Sequence, residues 1–490
     1  MVYGFSPIGA LGQLVRVEVD IRRGLPGTDI VGLASSEVRE ARDRVRVAIR
    51  NSGYEYPCDR ILVNLSPAEV PKIGSGFDLP IALAILERSG QIDLPDACLA
   101  SGELSVRGEV IPVRGTLSAI LSALEREVRT VVVGERAVRS LEAHRPAEAE
   151  LMVIPSLRSL RLHGLRRMDP PLPAPLRYTD SLSFDEIAGQ PAMKWAATVA
   201  AAGFHNLLMM GPPGSGKTMA ARRMVALLPD LTPDAGREVG RLYSMRGLEA
   251  ALRRSRPPVR VPHHSASLEG LLGGGKAGVP GEVSLAHNGI LILDEATEFR
   301  PSVLQALREP VERRVVSVTR AGRSDEFPAR FQLVLTSNLC PCGKLGQPGA
   351  RCLCSIPEVE RYWRRLGAAL LDRVDIRVRT YYQEKVVPTP SNAELAGRVE
   401  QAIARQRERG RGTEWTRNGL VPPEAVARIL PLPATLNRLL RARMQQLGLS
   451  ERAAASVRAV ARTLADLADR DGVEAADILE AAALRSLGPV

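Results

Sequence analysis

Lysine is scarce in this chain: of 66 basic residues in 490, six are lysine and the rest arginine. Aromatic residues reach only 4%, so a grip built on stacking bases against rings can play only a minor part. No run of 18 apolar residues occurs; the nearest, Trp195–Met210, is broken by His205 and Asn206, and a membrane-spanning helix is excluded. The opening residues MVYGFSPIGALGQ carry neither a basic start nor an apolar stretch. No secretory signal is therefore expected, and the chain reads as cytoplasmic. Cysteine is too sparse for a disulfide framework. Four of the six crowd into Cys340–Cys354, which in a reducing compartment points to metal.

What is present is 45% hydrophobic and 25% charged residues, the balance of a globular protein of about three domains. The net charge is +11, yet residues 1–170 hold 22 basic and 22 acidic side chains. The whole excess thus falls in 171–490, where a polyanion partner and a diffuse arginine bias both fit.

Residues 1–168 alternate strand-like runs (Leu14–Ile21, Arg60–Leu65, Thr130–Val133) with amphipathic helical stretches (Ser36–Ser52, Leu79–Ser89). Residues 169–182 include four prolines within seven positions and predict a stiff connector. Across 183–385, strand-like runs at Asn206–Met210, Gly289–Leu293 and Phe331–Thr336 alternate with helical stretches. That alternation predicts an α/β unit with a parallel sheet. Residues 386–490, rich in alanine and arginine, predict a helical bundle.

Gly211-Pro212-Pro213-Gly214-Ser215-Gly216-Lys217-Thr218 follows an apolar run and fits G-x-x-x-x-G-K-[ST]. Its glycines let successive N–H groups face phosphate oxygens at the positive end of the next helix. Lys217 would reach the β- and γ-phosphates of ATP, and Thr218 would ligate Mg²⁺. The run Ile290–Leu293 ends in Asp294, suited to hold the hydrated Mg²⁺, and Glu295, suited to polarise a water. Asn338 follows the Phe331–Thr336 run, where a third strand should emerge beside the γ-phosphate; taken alone it is also an ordinary turn residue.

These three features resemble Walker A, Walker B and sensor 1 of an AAA+ ATPase. Pro262-His-His-Ser-Ala-Ser267, Gly273-Gly-Gly275, Pro280-Gly-Glu-Val-Ser-Leu-Ala-His287 and Leu370-Leu-Asp-Arg-Val-Asp375 resemble the magnesium-chelatase-like branch. Essentially the whole chain is similar to the ComM/YifB family, whose best-known member is a hexameric DNA helicase that drives branch migration. The resemblance implies an AAA+ core with a helical lid, and a homo-hexamer with nucleotide at subunit interfaces. It implies a single-stranded or branched DNA partner, in recombination or DNA uptake. Arg373 would be the arginine finger reaching a neighbour's nucleotide. A sensor 2 arginine should open a helix of the final bundle; Arg452 is the first choice and Arg458 the second.

Val70-Pro-Lys-Ile-Gly-Ser-Gly-Phe-Asp-Leu79 and the stretch Ala100–Val113 resemble the S5-like catalytic domain of Lon protease, which activates a serine with a lysine. Setting Pro71, Lys72 and Gly74 against that pattern puts Gly76 at the nucleophile's place, with Ser75 one position away. No lysine occurs between Lys72 and Lys194, so the base is missing as well. A retained fold without proteolysis is expected, serving assembly or DNA contact.

Cys340-Pro-Cys342 and Cys352-Leu-Cys354 form two C-x-C pairs. Four thiolates make a closed tetrahedral zinc site, and Gly343, Gly346, Pro348 and Gly349 let the chain turn back. C-x-C is tighter than the usual C-x₂-C, and a redox cluster or free thiols remain open. For DNA, two insertions stand out: Leu271–Pro280 with Lys276, and a hairpin-like Val315–Phe327 with Arg320 and Arg323 at its turn. Arginines there suit phosphate contact, although ordinary exposed hairpins carry them too. Neither insertion has the aromatic–apolar pair of a polypeptide-threading pore. His263 and His264 read as pore or interface residues. Two rival functions stand beside the DNA motor. One is a chelatase-like motor remodelling a protein partner; the other, an ATP-dependent protease, is disfavoured by the missing dyad.

Overall fold

The first third forms an eight-stranded mixed sheet whose central strand Cys98–Ser101 is buried throughout, while Arg60–Ser66 and Glu150–Val153 bury alternate residues. In the computed structural model its order is Arg166–Arg167, Glu150–Val153, Thr130–Val133, Cys98–Ser101, Val2–Ser6, Gln13–Arg22, Arg60–Ser66 and Gly27–Val31. Ile61, Val63 and Leu65 point inward from Arg60–Ser66. In the helix Ser36–Asn51, Val38, Ala41, Val45, Ala48 and Ile49 are buried, the 3–4 spacing of one helical face. The helix Asp78–Arg88 is apolar on nearly every side and lies buried from Asp78 to Leu86. The structure describes residues 1–141, 146–168, 182–248, 255–274, 278–320, 323–382 and 387–487. The proline-rich connector falls outside these residues except for residue 182.

The Trp195–Met210 run divides where its polar residues predicted a break. A helix, Pro191–Gly203, ends at Phe204 in the left-handed conformation (φ +60°), and a strand, Leu207–Met210, follows. That strand belongs to a five-stranded parallel sheet in the order Val259–Arg260, Ile290–Leu293, Gln332–Ser337, Leu207–Met210, Ile376–Arg379. The three middle strands are buried along their whole length, as expected of strands covered on both faces. Since Gln332–Ser337 lies between Leu207–Met210 and Ile290–Leu293, the residues leaving all three carboxyl ends emerge side by side.

Five helices complete the chain: Asn392–Arg409, Pro423–Ile429, Ala434–Gln446, Glu451–Leu467 and Ala475–Ser486. Four of them share one core with Pro191–Gly203 and one face of the parallel sheet, while Pro423–Ile429 packs through Ala425 and Val426 in a smaller cluster with Ala459. Buried Asp466 accepts hydrogen bonds from Arg409, Asn418 and Arg462, so its desolvation is compensated. The first third is docked onto the parallel-sheet unit through the helix Pro233–Arg246. Its Ser244 Oγ accepts Leu117 N at 3.1 Å, its Ser244 carbonyl accepts Gly115 N at 2.9 Å, and Met245 joins the cluster around Leu117 and Ile120. No helix among the described residues is long and apolar enough to cross a membrane.

Candidate nucleotide site

The loop 211–216 is shaped by its smallest residues. Gly214 and Gly216 take positive φ of 78° and 87°, which favours glycine. At Gly211 an added Cβ would lie 1.9 Å from Thr380 Oγ1, so the loop leaves its strand with no room for a side chain. Ser215 Oγ donates to Pro212 O at 2.8 Å and pairs with Thr380 Oγ1 at 2.6 Å. Tyr382 OH donates to Pro213 O. Thr380 and Tyr382 escape sequence reasoning because they act across the sheet from the strand next door.

Lys217 opens the following helix. Its ammonium donates to Gly211 O at 2.7 Å, to Pro212 O at 2.8 Å and to Asn338 Oδ1 at 3.4 Å. Burial pushes its pKa down to about 8, against the opposing pull of Asp294 and Glu295. Thr218 Oγ1 donates to Asp294 Oδ1 at 2.8 Å. Thr336 Oγ1 donates to the same oxygen at 2.6 Å and accepts Glu295 N at 3.0 Å. Glu295 itself is exposed and left-handed (φ +53°). The structure thus gathers Lys217, Thr218, Asp294, Glu295 and Asn338 at one end of the sheet. Thr336, which holds the Asp294 carboxylate and the Glu295 backbone, is an addition to that set. The hydroxyl and carboxylate oxygens of Thr218 and Asp294 are hard donors that fit Mg²⁺.

Arg373 lies at the other end. Asn206, just before the strand Leu207–Met210, donates from Nδ2 to Arg373 O at 2.8 Å and from its backbone N to Asp375 Oδ2 at 2.9 Å. Four strand residues span about 13 Å, so Arg373 does not meet the phosphate loop of its own chain. Its guanidinium donates to Ala369 O at 2.7 Å and pairs with Glu312. Arg452, in the first turn of Glu451–Leu467, donates to the other Glu312 oxygen at 2.7 Å. Burial alone would raise the Glu312 carboxyl, but the bonds from Arg452 and Arg373 outweigh it and hold the group below its usual range. Glu312 was not foreseen. Arg458 is fixed inside the bundle, on Asn437 Oδ1 at 2.6 Å. The helical bundle also grips the Arg373 segment: Ser450 and Arg485 bond Asp372, and Ser456 bonds Asp375.

The four clustered cysteines converge, with all sulfurs within 4.8 Å of one another. Cys340–Cys342, Cys342–Cys352 and Cys340–Cys352 are 3.4, 3.6 and 3.7 Å apart. Tetrahedral zinc with bonds of about 2.3 Å sets its sulfurs about 3.8 Å apart. Leu345 N donates to Cys340 Sγ at 3.3 Å. The backbone N–H of Lys344 leads the effects that lower the Cys342 thiol to about 6. Burial outweighs the Leu345 donor and raises the Cys340 thiol, so the ease of ionisation differs across the four; it is the convergence of the four sulfurs that fits a zinc ion.

In the first third, Lys72 is fully buried and donates to Pro67 O. Gly76 sits in the turn Ser75–Phe77, where an added Cβ would meet Val113 at 3.3 Å. The hairpin pairs Val315–Arg320 with Arg323–Pro328, Arg320 opposite Arg323. The side chains of Arg320 and Arg323, and all of Lys276, lie outside the described residues. His263 and His264 stack with ring centroids 4.1 Å apart, and His263 Nδ1 pairs with Ser265 Oγ at 2.7 Å.

Comparison with known proteins adds three family matches. They are "Subunit ChlI of Mg-chelatase" over residues 17–137, "Magnesium chelatase, subunit ChlI" over 183–387, and "Magnesium chelatase, subunit ChlI C-terminal" over 389–485. The chain is 37% identical to the uncharacterized protein YifB of Escherichia coli, covering 99% of this chain and 97% of that one. It is 35% identical to the competence protein ComM of Haemophilus influenzae with the same coverage. A weaker likeness, 23% over 145 residues, reaches Lon protease of Geobacter metallireducens across 28% of this chain and 17% of that one.

Proposed function

The chain belongs to the ComM/YifB family of magnesium-chelatase-like AAA+ proteins, and from that premise we propose that it is an ATP-driven hexameric ring motor acting on DNA. ATP with Mg²⁺ supplies the transferable phosphoryl group. Lys217 and the loop N–H groups bind the phosphates, Thr218 and Asp294 hold the metal, and Glu295 polarises the attacking water. Asn338 holds Lys217 and stands beside the γ-phosphate. Arg373 and Arg452 offset negative charge that develops on the phosphoryl group of a neighbouring subunit.

The observation that carries the ring is the separation of these two sets. Phosphate loop and arginine pair lie at opposite ends of one parallel sheet, so a complete site needs the amino end of one sheet against the carboxyl end of the next. Such head-to-tail contact is heterologous and gives a ring when the rotation between protomers closes. The DNA partner is supported by the +11 excess confined to 171–490, by the hairpin Val315–Pro328, and by full-length likeness to a protein named for competence. In this reading the hairpin and the Lys276 segment grip the DNA backbone, the cysteines hold structural zinc, and the first third keeps a protease fold without its chemistry. The chelatase likeness keeps one second reading, remodelling of a protein partner.

Strand displacement on forked DNA tests the proposal. Wild type should unwind with DNA-stimulated hydrolysis, while Lys217→Ala and Glu295→Gln should lose both. An assembled hexamer showing neither unwinding nor stimulation by DNA rejects it in favour of the protein-directed motor.

A further inference from the structure

The cysteine cluster and the phosphate loop touch. Gly343, one residue past Cys342, has φ +73° and lies so close to Pro213 that an added Cβ would be 3.1 Å from Pro213 Cγ. Gly346, at φ +78°, lies over Leu339 and Pro212, with a Cβ at 3.3 and 3.9 Å from them. Pro212 O is one of the acceptors that hold the Lys217 ammonium. The same segment reaches Lys217 a second time through Asn338, two residues before Cys340. Residues 338–346 therefore clasp the loop from two directions.

The segment has no regular structure of its own, and Trp363 of the next helix donates a hydrogen bond to it at Leu339 O, at 3.1 Å. Between the strand Gln332–Ser337 and the helix Ile356–Arg364 the chain forms only turns. Leu339 and Cys340 are buried and Leu345 packs beside them, while Leu353 is 79% exposed, so apolar packing holds the near half of the segment and the cysteines must hold the far half. A loop of this kind gains its order from a cross-link, and four thiolates closing on one ion supply one. We propose that metal occupancy of Cys340, Cys342, Cys352 and Cys354 sets the nucleotide affinity of the phosphate loop. With metal bound, Gly343 and Gly346 press Pro212–Pro213 into the conformation that presents Lys217. Without it the segment slackens, Asn338 included, and the loop loses its outer wall. The inference rests on reading 211–218 as the nucleotide site.

The test uses the full chain purified without chelator under reducing conditions. Zinc is measured by mass spectrometry of the metal, and binding by titration with a fluorescent ATP analogue, without reference to hydrolysis. Zinc near one equivalent is expected. Its removal by a chelator should weaken binding at least tenfold, and added zinc should restore it. The double variant Cys352→Ser, Cys354→Ser, altered on the side away from the loop, should bind weakly and not respond to zinc, with circular dichroism reporting that the rest stays folded. Metal-free folded protein that binds within twofold of the loaded form overturns the inference, as does tight binding by protein purified with under half an equivalent of zinc. If no form binds the analogue, the reading of the phosphate loop falls, and this inference with it.

Discussion

Buried beneath its own loop, the Lys217 ammonium has three protons and three oxygen acceptors, so its charge is matched but costly to keep dry. Burial brings its pKa down to about 8 even though Asp294 and Glu295 pull the other way. Phosphate favours the charged amine. Below that pKa the charge is already present and binding draws on it directly. Above it, binding must first take up a proton, so affinity falls as pH rises, by up to about tenfold per unit. Titration with a nucleotide analogue from pH 6.5 to 9.5 should show a plateau and then this decline. Lys217→Arg, charged throughout, should flatten the curve. Among the acids, Glu312 stands apart: one carboxylate serves two guanidiniums from segments 61 and 140 residues away.

At the scale of elements, legibility followed locality. The phosphate loop, the apolar run ending in Asp294 and Glu295, and the two C-x-C pairs each announce themselves within fifteen residues. What Asn338 does depends on Gln332–Ser337 lying between two strands that are not its neighbours in sequence, and only a resemblance could supply that order. Glu312 was illegible, being one acid at the end of the short helix Arg308–Arg313 with partners far along the chain. The docking of the first third was equally hidden. Ser244 accepts the N–H groups of Leu117 and Ser118, so the helix Thr116–Leu124 has its first turn satisfied by a residue from another unit. Ser244→Ala removes that acceptor from a buried helix start and should cost about 1 kcal/mol. Limited proteolysis should then release the first third faster than in wild type. An unchanged rate means that the joint is held by its other contacts, the Ser244 carbonyl on Gly115, Arg241 on Glu125 and the packing of Met245.

For the whole molecule, the decisive arrangement is that the phosphate loop and the Arg373–Arg452 pair lie at opposite ends of one sheet, so that in the proposed ring each protomer would supply half a site at either end. A protomer carrying Lys217→Ala keeps its arginines, and one carrying Arg373→Ala keeps its phosphate loop. Each alone should be inactive. Mixed one to one, about a quarter of the contacts pair an intact loop with intact arginines, and hydrolysis should return to that extent. Arg452→Ala should be rescued by the same Lys217→Ala partner, because Glu312 places it beside Arg373. Rescue of Arg373→Ala without rescue of Arg452→Ala would return Arg452 to its own subunit. The polarity of the five-stranded sheet has a consequence for inheritance. In the proposed ring every faulty protomer would spoil the site it owns or the site it serves, and one with both ends damaged would spoil two. Damage at one end would cost activity in proportion to the share of damaged copies, whereas damage at both ends would cost nearly twice that share when damaged copies are few, so alleles of the second kind should behave as dominant.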